Sequence, residues 1–510
     1  GYLYDGTGSK PVQADILMEN ERILRVGKKL PQDDAEIVDA SGKAVTPGWI
    51  DIHRHCDLAA LTALEFGEAE LRQGLTSVVG GNCGLGVTAD AGEAYDQASA
   101  LIAPCLGSTN GLRFSGMGQY LDTLDQTGLR LNMGMLAAVG ATKIAVKGFE
   151  KTPFTPQQMD KARALLREQL EEGALGVSLG IMYPPECYTT MEEYVQWLSV
   201  CAPFHRPMCC HIRGEGDSLT DSVREVIEIG RRAEIPVHIS HFKCTGRKNW
   251  RKGIYRAIEE IERARAVGQD VTVDFYPYTA GATTLLSLRP PTVLEEDDNR
   301  LWDKAGTREG VKQIREALAH APAGWDNMID AIGYERILIA NAAFEDGERL
   351  SGRNLTEAAE ILGLESPTEA MCFLLNRTRG NTGVILQSMD ENDLREVARL
   401  PYSLLISDAL YGPGATHPRL YGAFPRAIRQ MVCQKHVLTL EEAIRKMSYL
   451  PTKRIGLEER GQIREGMRAD VLVFDPEKLQ DLATYENPRV LSIGMEHVYV
   501  GGRDALTERT

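Results

Sequence analysis

No stretch of this sequence approaches the roughly 20 consecutive apolar residues that a membrane-crossing helix requires. The first residues, Gly1-Tyr2-Leu3-Tyr4-Asp5, also lack the charged segment and apolar run of an export leader. A cytoplasmic protein with no membrane partner is the expectation. Gly1 stands where an initiator Met would, and Tyr2 to Tyr4 reads as the middle of a strand, so the numbering is expected to begin inside a longer chain. Positive charge is scarce: 57 Lys and Arg face 72 Asp and Glu, a formal charge of −15. That balance gives no footprint for nucleic acid or anionic lipid, and an anionic substrate must be met by local cations. Ten cysteines spread over 510 residues do not resemble a disulfide-stapled secreted scaffold. They read as buried thiols, one of them a candidate ligand. No internal repeat or low-complexity tract stands out, and homo-oligomerisation is left open. What is present, 43% hydrophobic and 25% charged residues, suits a large globular core.

Both ends read as short strands with Gly turns, as in Asp15-Ile16-Leu17-Met18 and Asp470-Val471-Leu472-Val473-Phe474. They are expected to pair into one small β-domain, a β-sandwich made from residues 1–46 and 451–510. Between them, over 47–450, compact apolar runs alternate with helical patterns, as in βα units around a parallel sheet. Candidate strands fall at 48–53, 75–80, 131–137, 174–179, 207–212, 235–240, 271–276 and 402–407. Eight units make a (β/α)₈ barrel the expected α/β fold. Two more runs, Ile337-Leu338-Ile339-Ala340 and Val384-Ile385-Leu386-Gln387, compete for the seventh place. Residues 283–345 read as an inserted subdomain, since loops of that length in compact domains usually serve a function.

Barrel enzymes build their sites at strand C-termini, and five such ends here carry metal-compatible groups. His53 and His55, two apart in Asp51-Ile52-His53-Arg54-His55, point to one face of a strand. Cys83 follows a strand in Gly80-Gly81-Asn82-Cys83-Gly84. His211 and His241 close strands one βα unit apart, whereas His238, an odd number of residues before His241, should face the other side and serve in packing or hydrogen bonding. Asp408 ends the last strand, where a carboxylate can ligate metal and move a proton. Singly, each has a bland reading: unrelated histidines, a core thiol, a helix cap. Caps and core thiols do not explain all five.

The constellation resembles the amidohydrolase superfamily and, within it, the D-aminoacylase (N-acyl-D-amino-acid deacylase) family. The likeness rests on Pro47-Gly48-Trp49-Ile50-Asp51 with its His-x-His, Gly81-Asn82-Cys83-Gly84 and His211-Ile212-Arg213-Gly214-Glu215-Gly216-Asp217. It extends through Ile239-Ser240-His241, Tyr276-Pro277-Tyr278, Ser407-Asp408 and His417-Pro418-Arg419. The resemblance implies a barrel with a terminal β-sandwich and zinc: Cys83, His211 and His241 at a tight position, His53, His55 and Asp408 at a weaker one, Cys83 bridging. It implies hydrolysis of N-acyl-D-amino acids, with Asp408 as acid and base and with Lys243, Tyr276, Arg289 and Arg419 against the substrate. Arg213 and Glu215 are expected to orient His211. The fourth strand holds no Lys for carbamylation, which favours the Cys-type subgroup. Two departures stand out: Ala141 replaces a His common in the family, and Glu186 stands where relatives commonly have Gly.

Three other readings compete. Gly176-Val177-Ser178-Leu179-Gly180 fits the pattern of a serine-hydrolase elbow, but Pro184-Pro185 just beyond it blocks the helix that an elbow must enter. The same metal site could cleave another C–N bond, in a cyclic or dipeptide-like amide. A non-catalytic barrel scaffold is the third, and the full ligand set argues against it.

Overall fold

The computed structural model describes residues 1–31, 35–289, 298–320, 326–411 and 417–507. Eight parallel strands form the centre, in chain order Trp49–Asp51, Leu75–Gly80, Asn132–Met135, Val177–Gly180, Met208–His211, Val237–Ile239, Val271–Phe275 and Ser403–Leu405. Each pairs in parallel with the next, the third through its short continuation Ala137–Ala138. Ala409–Leu410 then pairs in parallel with Arg54–His55 and closes the ring. Most of these strands are buried along their whole length, which is why they read as continuous apolar runs rather than alternating ones. Helices cover the outside: Leu219–Ala233 lays Leu219, Val223, Val226 and Ile229 against the sheet. Gly48 is required, since a Cβ there would lie 2.1 Å from Thr76 Oγ1.

The closing seam is held by Arg54, fully buried. Its guanidinium reaches Asp51 Oδ2 and Ser407 Oγ at 3.2 Å and Glu70 Oε1 at 2.7 Å. Both ends of the chain meet in one six-stranded sheet. In it Ala44–Pro47 lies between Tyr2–Leu3 and Val471–Phe474, followed by Met495–Val500 and Arg503–Asp504. Phe474 from this sheet packs edge-on against Trp49 of the first barrel strand, with ring centroids 5.3 Å apart.

The two competing runs are not barrel strands. Ile337–Ala342 and Thr382–Leu386 pair antiparallel with each other and with Gly281–Thr284 in a separate three-stranded sheet. The insertion therefore reaches further than 283–345. Its own apolar core runs from Leu285 to Leu386 through Ile337, Ile339 and Leu374. The sequence misleads here because a short apolar run reads alike in either kind of sheet. Residues 290–297 and 321–325 of the insertion lie outside the described residues. No helix among the described residues is long and apolar enough to cross a membrane.

Candidate metal centre

At the C-terminal mouth of the barrel the strands stop short, and the chemistry-bearing residues sit in the breaks. Cys83, His241 and Asp408 have φ of 55°, 36° and 53°. A non-glycine residue pays for that left-handed conformation, and such residues gather at functional sites. Here it turns each side chain from its strand end into the mouth.

His53 Nε2 lies 3.3 Å from Cys83 Sγ and 3.5 Å from Asp408 Oδ1, and His55 Nε2 lies 3.4 Å from the same oxygen. Cys83 Sγ is 3.6 Å from His241 Nε2. Three overlapping groups result: His53, Cys83 and His241; His53, His55 and Asp408; His211, Glu215 and His241. With Zn–N near 2.0 Å and Zn–S near 2.3 Å, two donors on one tetrahedral ion stand roughly 3.3–3.8 Å apart, so these separations fit zinc. His55 Nδ1 and His211 Nδ1 are buried with no hydrogen-bond partner among the described residues, as groups awaiting a ligand or water are.

The electrostatics agree. Burial would raise the Asp408 carboxyl, but Arg419 Nη1 at 2.9 Å, together with His55, holds it well below the usual range. Burial, and then the neighbouring His241, pushes His211 well below its ordinary value, leaving a neutral imidazole. Burial drives the Cys83 thiol up, and a coordinated cation is what would make it a thiolate.

Two carboxylates behind the site set the imidazoles, and one of them the sequence reading missed. Asp274, on the seventh barrel strand, lies with Oδ2 3.4 Å from His53 Nδ1 and 2.8 Å from His238 Nε2, and its Oδ1 accepts the His241 N–H. With Nδ1 of His53 turned to Asp274, Nε2 faces Cys83. His238 is thus a hydrogen-bonding histidine, as one of its two expected roles had it, but it is not on an opposite face. The odd spacing to His241 misleads because alternation ends where His241 turns left-handed. Replacing Asp274 with Asn is expected to weaken zinc binding by about 10–100-fold, read by competition with a chelator.

The second carboxylate is Glu215, and its partner is not the expected one. Its Oε1 lies 3.0 Å from His241 Nδ1 and 2.5 Å from Lys243 Nζ, so it orients His241 rather than His211. Arg213 does not orient His211 either. It turns outward to Glu225 at 2.8 Å and to the Cys187 carbonyl at 3.0 Å, because the backbone leaves the strand at Ile212. Of the expected substrate groups, Lys243 and Arg419 join the cluster, and the Arg419 guanidinium lies over the Tyr276 ring at 4.9 Å. Arg419 Nε is buried with no hydrogen-bond partner among the described residues. Arg289 sits at the root of the insertion, where Nε donates to the Leu286 carbonyl and the guanidinium lies over Trp302.

Three further residues noted in the sequence brace the site rather than line it. His417 Nδ1 accepts the Arg419 N–H at 3.0 Å, while Nε2 donates to the Ala280 carbonyl. Ser178, centre of the elbow-like motif, donates to the Gly81 carbonyl and accepts the Gly84 N–H at 3.1 Å, bracing the Cys83 turn. Glu186 accepts from the Gly180 N–H at 2.9 Å and Tyr194 Oη at 3.1 Å. Burial raises its carboxyl from 4.5 to about 7, against these hydrogen bonds. The folded state then holds that proton more tightly than the unfolded one, so stability falls as pH rises from about 4.5 to 7, by at most about 3 kcal/mol. The Glu186→Gln variant is expected to lose that slope when Tm is followed across pH 4.5–7.5.

A model of the amidohydrolase family matches residues 316–504. Over 98% of this chain and 91% of the relative, the sequence is 31% identical to N-acyl-D-glutamate deacylase of Alcaligenes xylosoxydans xylosoxydans. It is likewise 31% identical to D-aminoacylase of the same organism, over 100% of this chain and 94% of the relative. The structure is similar to the crystal structure of N-acyl-D-glutamate deacylase from Bordetella bronchiseptica complexed with zinc and a phosphonate mimic of the tetrahedral intermediate. The TM-score is 0.81 at 28% identity, covering 100% of this chain and 96% of that one.

Proposed function

The chain belongs to the D-aminoacylase family of amidohydrolases, and we propose from that premise that it is a zinc-dependent hydrolase of N-acyl-D-amino acids, releasing a carboxylate and a free D-amino acid. The observation that carries this reading is the meeting of His53, His55, Cys83, His241 and Asp408 at four separate strand ends, with donor spacings suited to zinc. In our assignment Cys83, His211 and His241 would hold a tight ion, and His53, His55 and Asp408, together with Cys83, would hold a weaker one. Bound zinc would supply a Lewis acid for the amide carbonyl and would bring the pKa of a water molecule toward neutrality.

The rest falls to the side chains. Asp408, kept ionised by Arg419 and His55, takes the proton of the attacking water at a carboxylate oxygen and returns it to the leaving nitrogen. Arg419 and Lys243 present cations to the substrate α-carboxylate, the planar guanidinium giving the directional contact. Tyr276 backs Arg419. Arg289, at the insertion, is assigned to the substrate side chain. All ten cysteines are free, which supports a reducing, cytoplasmic setting.

The test is release of free amino acid from a panel of N-acetyl and N-formyl D- and L-amino acids. Turnover of D-substrates alone bears the reading out. Zinc-loaded protein that leaves the whole panel untouched and opens cyclic amides would replace it.

A further inference from the structure

Asp326 stands in the insertion, far from the site in sequence, and nothing in its surroundings marks it as catalytic. Yet its carboxylate is spent on the loop after the fifth barrel strand. Oδ2 accepts the N–H groups of Glu215 at 2.8 Å and Gly216 at 2.7 Å, and Oδ1 accepts the Ser218 N–H and hydroxyl at 3.3 Å. The glycines flanking Glu215 leave room for this approach: a Cβ on Gly214 would lie 1.9 Å from Ser218 Oγ and 2.8 Å from Asp326 Oδ2, and one on Gly216 would lie 3.0 Å from Asp326 Cγ. The loop so gripped carries Glu215, whose Oε1 holds both His241 Nδ1 and Lys243 Nζ. Through the Thr245 N–H, which donates to the Glu215 carbonyl at 2.7 Å, the grip extends to the loop after the sixth strand.

We propose that Asp326 is a positioning residue of the reaction: by gathering the N–H groups of the 215–218 loop, the insertion fixes Glu215 and, through it, His241 and Lys243. The inference rests on the zinc-hydrolase reading. It gives the insertion a part in holding the metal site. A carboxylate that accepts several N–H groups is worth more than a neutral acceptor. An error in the Glu215 side chain passes directly to the imidazole it orients, since such outer partners fix ring orientation and tautomer.

The experiment compares Asp326→Ala, Asp326→Asn and Arg247→Ala in the full chain. Arg247 also meets the insertion, its N–H donating to the Ala331 carbonyl and its guanidinium pairing with Glu335 at 3.7 Å. For each, the zinc dissociation constant is measured by chelator competition, with Tm, kcat and KM on an acyl-D-amino acid. Asp326→Ala is expected to weaken zinc and lower kcat by about 10–100-fold with KM little changed. Asp326→Asn, whose amide oxygen still accepts, recovers part of both. Arg247→Ala keeps the native zinc affinity. Native zinc affinity in Asp326→Ala overturns the proposal. So does a fall shared by Asp326→Ala and Arg247→Ala in proportion to lost Tm. Should the native protein hydrolyse no acyl amino acid, the deacylase reading fails while the zinc comparison still decides the role of Asp326.

Discussion

Replacing Asp408 with Asn is expected to lower kcat by about 10²–10⁴-fold, the usual worth of a positioned acid and base, while zinc remains at the Cys83 position. The shape is kept, so the histidines His53 and His55 lose a charge rather than a contact. Asn cannot take a proton, and that is the step assigned to Asp408. One further consequence comes with it. Arg419, buried and paired with Asp408 Oδ2 at 2.9 Å, would lose its counter-ion, and an uncompensated buried charge is costly. The variant is therefore expected to melt earlier as well as to turn over slowly. Zinc content and Tm measured beside kcat separate the two effects: lost activity with retained zinc assigns Asp408 to the chemistry, and native activity removes it.

Replacing Cys83 with Ala is expected to cost more zinc affinity than the roughly 10–100-fold of an outer hydrogen-bond partner, because the sole sulfur donor to the cluster from a cysteine goes. The turn itself has other supports. Asn82 Nδ2 reaches the Val79 carbonyl at 3.0 Å, and Ser178 braces Gly81 and Gly84. The protein should thus still fold, and metal analysis after dialysis should find the tight position depleted. Stoichiometric zinc in the Ala variant would show that the tight site lies elsewhere.

Much of this was legible in the sequence, and the reasons differ from element to element. The eight barrel strands could be read because strands buried on both faces spell themselves as apolar runs. The metal-facing residues could be read because they sit where those runs stop. Asp274 escaped notice because it lies within the run Val271–Phe275 and its use is known only once His53 and His238 are seen around it. Glu215 was singled out but given to the wrong imidazole: its loop folds back toward the sixth strand, a tertiary fact that spacing does not carry. The insertion was underestimated for the same kind of reason. Thr382–Leu386 belongs with Gly281–Thr284, about a hundred residues earlier, and no local pattern records that pairing. Asp326 acts through backbone N–H groups, contacts that leave no motif.

The central claim is that zinc held by the Cys83 cluster is what lets this chain cleave N-acyl-D-amino acids. The most direct measurement is a zinc titration of chelator-stripped protein, following release of free D-amino acid from an N-acetyl-D-amino acid. The account predicts no turnover without metal, recovery as the first equivalent of zinc binds, and no release from the L-isomer. Full activity in metal-free protein, or zinc binding that restores no hydrolysis of either isomer, would contradict it.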